Sequence, residues 1–258
     1  MKLTKRNYFS PKANREFMSV SQFKSFKKCP ACALAEINGE YEREKTTALI
    51  VGSFVDAYFE GARSFKAFLR NNPDILKKDG ALKADYVQAY KIIERIKRDK
   101  LFMEYMTGKK QVVMTGNICG VPVKIKIDVL HDNKIVDGKI MATFNAGRDP
   151  ERGFLPWFEF WGYDLQGAVY QEVVRQNIGK RLPFYLAAAT KEKTTDIDIL
   201  HINQDILDVA YASFTADVET FDAIKKGIIP AERCEWCEYC KTTKVLTAPT
   251  EANEYYLF

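Results

Sequence analysis

From Lys110 onward the apolar positions stop recurring at helical spacing and begin to alternate, and they do so three times in succession, over residues 111–115, 121–128 and 134–140. A period of two is what a half-buried strand requires, because successive side chains point to opposite faces. Asn117-Ile-Cys-Gly120 and His131-Asp-Asn133 separate the segments with residues that tolerate positive φ, so an antiparallel three-strand run is predicted. Helical spacing brackets it: helices are predicted over 21–37 behind a serine cap, 47–61, 86–98 and 159–176. A buried strand over 184–189, an alternating strand over 196–201 and a long helix over 204–226 complete the pattern. The order predicts an α/β fold, a mixed central sheet flanked by helices on both faces.

The chain of 258 residues contains no repeat and no Pro/Gly-rich linker, and it reads as a single domain. Within it we expect a mobile N-terminal arm (1–18), a helical part (19–106), a core bearing the sheet (107–226) and a Cys-rich C-terminal segment (227–258). Lys and Arg number 39 against 34 Asp and Glu, a net charge of +5 that permits a polyanionic partner without requiring one. No run approaches the roughly 18 apolar residues of a membrane span. The basic start, Met1-Lys-Leu-Thr-Lys-Arg, has no apolar stretch behind it. The expectation is a cytoplasmic protein with no membrane association.

The second hairpin carries the most informative constellation, Asp128 with Asp137 and Lys139, which either forms a chemical site or merely ends two strands with a lysine reaching solvent. Asp137 and Lys139 are two apart on one strand and project from the same face. If Asp132-Asn133 forms a two-residue turn, Asp128 lies opposite Asp137. Two carboxylates so placed repel unless a hard divalent cation lies between them, and oxygen-only ligands favour Mg²⁺ or Mn²⁺. Such an ion activates water at a phosphodiester, and the lysine positions the nucleophile or offsets charge in the transition state. Gln166 and Tyr170, one helical turn apart, share a face.

Asp128 followed by Ile135-Val-Asp137-Gly-Lys139-Ile resembles the split core motif of the PD-(D/E)xK nucleases, which have a restriction-endonuclease-like core, so that 107–226 is expected to be the nuclease core. Gln166-Gly-Ala-Val-Tyr170 is similar to the Gln-x-x-x-Tyr signature of the RecB-like branch, and Ser19-Val-Ser-Gln-Phe-Lys-Ser-Phe-Lys-Lys-Cys29-Pro resembles its opening motif. Across nearly the whole chain the resemblance is to RecE-like exonucleases of phages and prophages. It implies digestion of linear double-stranded DNA from its ends, transfer of the surviving strand to a RecT-type annealing protein, and a homo-oligomeric ring. It implies metal ligation by Asp128, Asp137 and the backbone carbonyl of Ile140, with Lys139 assisting the attacking water and Gln166 and Tyr170 orienting DNA. Asp56 stands where these nucleases have a histidine, and is expected to join the metal site. A structure-specific endonuclease and an inactive DNA-binding protein of the same fold are the alternatives.

Cys234-Glu-Trp-Cys237-Glu-Tyr-Cys240 places three thiols within reach of one metal centre, and Cys29 is the natural fourth ligand. Some RecB-like nucleases close an iron–sulfur cluster with one cysteine before the core and three after it. The spacing here departs from theirs, and a structural zinc ion fits four thiolates equally well, with free reduced cysteines as the alternative. Trp236 and Tyr239 either pack the tail onto the domain or stack on unpaired bases. Cys119 is expected to be a small buried hydrophobe, His131 a turn residue and His201 a strand end.

Overall fold

A tight turn and two chain reversals organise the sheet of the computed structural model, which describes residues 1–44, 46–249 and 252. The N-terminal half is helical: α1 (Pro11–Glu16), α2 (Val20–Lys28), α3 (Pro30–Asn38), α4 (Thr47–Glu60), α5 (Ala62–Asn71), α6 (Ala84–Lys97) and α7 (Lys100–Tyr105). Then come β1 (Lys109–Ile118), β2 (Val121–Leu130) and β3 (Ile135–Met141). A small hairpin of β4 (Gly147–Asp149) and β5 (Gly153–Leu155) leads into α8 (Trp157–Phe160) and α9 (Tyr163–Ile178). The chain continues through β6 (Phe184–Thr190), β7 (Ile197–Ile202), α10 (Gln204–Lys225) and α11 (Glu238–Thr242).

The main sheet has the order β1-β2-β3-β6-β7, with β3 and β6 parallel and the other neighbours antiparallel. The parallel pair is joined through α9, as a crossover connection demands. Phe23, Ile125, Val169 and Phe214 represent the core on one face, where α2, α9 and α10 pack. On the other, Phe54 and Ile92 of α4 and α6 meet Val136 and Ala187. The mixed sheet with helices on both faces is therefore as the periodicity predicts. Among the described residues, no helix is long and apolar enough to cross a membrane.

Four local readings change. The helix expected over 21–37 is two helices, because Pro30 has no N–H to continue the first; Cys29, extended at φ −165°, ends α2 and caps α3. The helix expected from 159 is broken between α8 and α9 by Gly162 at φ 63°, where a Cβ would sit 3.0 Å from Lys24 Cδ. Cys119 is exposed, since the first hairpin closes through Cys119-Gly120 alone, both left-handed at φ 51° and 77°, and the thiol lies at the tip. The arm over 1–18 is packed: Tyr8, Ala13 and Met18 are buried, and Met18 pairs with Val123. Lys124 anchors it, donating from Nζ to the Tyr8 carbonyl at 2.6 Å and to Asn14 Oδ1 at 2.7 Å.

Candidate active site

β3 presents Asp137 and Lys139 toward α9, and their side chains form an ion pair through Asp137 Oδ2. From α9, Gln166 Nε2 donates to Asp137 Oδ1 at 2.8 Å. The helix comes this close because residue 167 is glycine: a Cβ there would lie 2.5 Å from the Phe184 ring. Asp137 is thus held from both sides by neighbours that keep its carboxylate oriented.

The second hairpin turns through Asp132-Asn133, with Leu130 opposite Ile135 and Val129 opposite Val136, the register expected from sequence. Beyond these two pairs β2 and β3 part. Asp128 bridges the gap, its Oδ2 accepting from the Gly138 amide at 3.0 Å. The strand pleat also slips here: Ile125 and Ile127 face the α9 core, whereas Val129 joins the opposite one. Opposite the slip, Gln111 of β1 has φ 54°, a left-handed conformation that costs a non-glycine residue about 1 kcal/mol. Its Nε2 donates to Asp128 Oδ1 at 3.0 Å. Gln111 was not among the residues picked from sequence, and nothing in an alternating strand marks a backbone inversion.

Asp56 reaches the same place from α4, lining a narrow recess with Glu60, Lys110, Gln111, Asp128 and Gly138. Burial pushes the Asp137 carboxyl up to about 7; the Lys139 ammonium opposes that rise and the Asp128 charge adds to it. Asp56 is exposed at the rim, so water offsets part of the rise that the enclosing protein and then the Asp128 charge impose on it. For Lys139, burial acts to lower the pKa, but Asp137 and Asp128 outweigh it and hold the ammonium above its usual value. At this site the buried Gln111 Oε1 accepts no hydrogen bond, while Asp137 Oδ2 is engaged by the Lys139 ammonium. An unpartnered hard oxygen donor beside a group of carboxylates suits a hard divalent cation.

The other expected residues divide. Tyr170 is buried and its hydroxyl donates to the Lys126 carbonyl at 3.1 Å, tying α9 to β2. Ile140 follows Lys139 on β3, its side chain packed in the α4/α6 core. His131 closes the hairpin turn, bonded through Nε2 to the Tyr105 carbonyl at 2.9 Å, and His201 in β7 stacks on Tyr185. A second residue missed in the sequence is Lys24 of α2. Its Nζ donates to the Trp161 carbonyl at 2.9 Å and lies 5.3 Å from the Tyr163 ring centre, with Lys139 Nζ 4.8 Å from the same centre. Burial and then the Lys139 charge lower its pKa to about 8. Its place inside the opening motif is the signal that was available.

Away from the carboxylates, Cys29, Cys234, Cys237 and Cys240 converge, with all four sulfurs within 4.8 Å of one another. Cys32 is buried beside them but stands apart from the set, its sulfur facing Arg43 Nη2 at 3.7 Å. Trp236 is exposed, while Tyr239 packs on Tyr41.

A family profile described as a PDDEXK-like domain of unknown function, DUF3799, matches residues 19–243. A solved protein of Eubacterium rectale described as a candidate exonuclease is 42% identical, over 99% of this chain and 98% of that one, with a TM-score of 0.94. A second solved structure, SSO0001, is 14% identical over 82% of this chain and 96% of that one, with a TM-score of 0.28, too low to bear on the fold. No curated protein matches. With the profile spanning the sheet, Asp128, the Asp137-Gly-Lys139 strand and the helix carrying Gln166, the chain belongs to the PDDEXK-like DUF3799 family.

Proposed function

We propose that this protein is a Mg²⁺- or Mn²⁺-dependent exodeoxyribonuclease that degrades linear double-stranded DNA from its ends. The observation that carries the reading is the clamped Asp137, ion-paired to Lys139 and hydrogen-bonded to Gln166, in a chain of the PDDEXK-like family. The similarity to the Eubacterium rectale protein described as a candidate exonuclease supports it.

Asp137, Asp128 and Asp56 would hold the divalent ion together with the Ile140 carbonyl. When bound, that ion supplies Lewis acidity and a water of lowered pKa at the scissile phosphate. Lys139 sits beside the carboxylates, where its ammonium offsets the negative charge of an incoming phosphate and steadies the attacking water. Gln166 holds Asp137 in one orientation, and Tyr170 fixes the helix that carries Gln166. Lys24 adds a second cation for the DNA backbone.

Action in phage-type recombination, as a homo-oligomer that hands its product to a RecT-type annealing protein, completes the proposal. The test is release of acid-soluble nucleotides from linear duplex DNA. We expect Mg²⁺ or Mn²⁺ to be required and Asp137→Asn to abolish release while circular dichroism stays unchanged. Release by Asp137→Asn at the parent rate would refute the assignment.

A further inference from the structure

The cysteine cluster, far from the carboxylates in sequence, has a geometry that discriminates between its possible occupants. The four sulfurs belong to Cys29 at the α2/α3 junction and to Cys234, Cys237 and Cys240 at the start of α11. Sγ of Cys29 lies 3.6 Å from Sγ of Cys240, which is 3.9 Å from Sγ of Cys234, and no pair in the set exceeds 4.8 Å.

A single tetrahedral ion with metal–sulfur bonds of about 2.3 Å places its sulfurs about 3.8 Å apart. A four-iron cubane interposes a cage of iron and sulfide and drives the thiolates to roughly 6 Å. The separations in this chain match the first and leave no room for the second. From this geometry we infer that the four cysteines hold one zinc ion, and not the iron–sulfur cluster that the resemblance to RecB-like nucleases implies.

Three further observations fit four thiolates around a small cation. The backbone amides of Cys32, Cys237 and Cys240 point at Sγ of Cys29, Cys234 and Cys237, at 3.4, 3.3 and 3.4 Å. Such donors disperse the excess negative charge of a tetrathiolate site. Arg233, itself ion-paired to Glu235, braces the set by donating from Nη2 to the Cys240 carbonyl at 2.5 Å. Cys29 and Cys240 are buried, while Cys234 and Cys237 are half-buried, so an ion can enter from one side.

The consequence is a clamp. The ion joins the α2/α3 junction to the C-terminal segment, next to the backbone bond from the Ala31 amide to the Glu232 carbonyl at 3.0 Å. It thereby fixes the end of α2, the helix that delivers Lys24. This inference does not depend on the nuclease reading, because its readouts are composition and spectrum.

The full-length protein, purified under anaerobic reducing conditions, is assayed for zinc, iron and acid-labile sulfide and scanned for visible absorption. We expect one zinc per chain, no iron, no sulfide and a colourless solution. Exchange with Co²⁺ should give the intense blue-green spectrum of a tetrahedral thiolate site. Cys240→Ser should lose the ion and Cys32→Ser should keep it. If Cys240→Ser does not fold, release of one zinc equivalent from the parent on thiol modification serves instead. Iron with sulfide and a brown colour would overturn the inference, as would a folded chain that takes up neither zinc nor cobalt.

Discussion

Gln111 and Asp128 face each other across β1 and β2 where the sheet pleat slips, joined by a 3.0 Å hydrogen bond from Nε2 to Oδ1. The left-handed backbone of Gln111 is the strained element of this pair. Gln111→Gly removes the strain and the donor together, so stability should stay level or rise by up to about 1 kcal/mol. Cleavage should fall about tenfold or more, because Asp128 loses the group that orients it. Thermal melts with initial rates check this; a less stable protein with full activity would contradict it.

Gly167 lets α9 rest on β6 and so lets Gln166 reach Asp137. Gly167→Ala should cost about 1–3 kcal/mol of stability by overpacking against Phe184. It should also lower turnover at temperatures where the variant is fully folded. A stability loss without any change in turnover would separate Gln166 from the chemistry.

Lys24 stands beside Lys139 with its amine poised between the Trp161 carbonyl and the cleft. Lys24→Ala should weaken DNA binding and reduce the slope of log affinity against log salt by about 1, one phosphate contact. Fluorescence anisotropy over a salt series gives that slope, and an unchanged value would remove Lys24 from the DNA path.

Burial lowers the Lys124 pKa from 10.5 to about 8. Between those values the unfolded chain holds the proton and the folded chain does not, so this residue makes stability rise with pH through that window. Relative to Lys124→Met, the parent should therefore gain stability from pH 8 to pH 10, by no more than about 1.4 kcal/mol per pH unit. Denaturant titrations at several pH values measure the difference. A difference that stays flat across that range would mean that the amine stays charged against Tyr8 and Asn14.

The strands, the hairpin register that brings Asp128 toward Asp137, and the helices α4, α6 and α10 were legible because their patterns are long and amphipathic. The breaks were less so, although their signals were present: Pro30 splits one helix and Gly162 another, each inside an apolar rhythm that reads through it. The β4/β5 hairpin has three-residue strands, too short for alternation to register. Cys119 is exposed because a two-residue turn leaves no interior for it. The inversion at Gln111 is fixed by tertiary packing around Asp128, not by local preference, and no pattern in the strand announces it.

An end-dependent nuclease centred on Lys139 and its carboxylates should distinguish linear from covalently closed circular duplex DNA. Incubated with both substrates and Mg²⁺, the parent should consume the linear DNA and spare the circle, while Lys139→Ala, folded as the parent is, should leave both intact. Nicking of the circle, or digestion of linear DNA by Lys139→Ala at the parent rate, would contradict it.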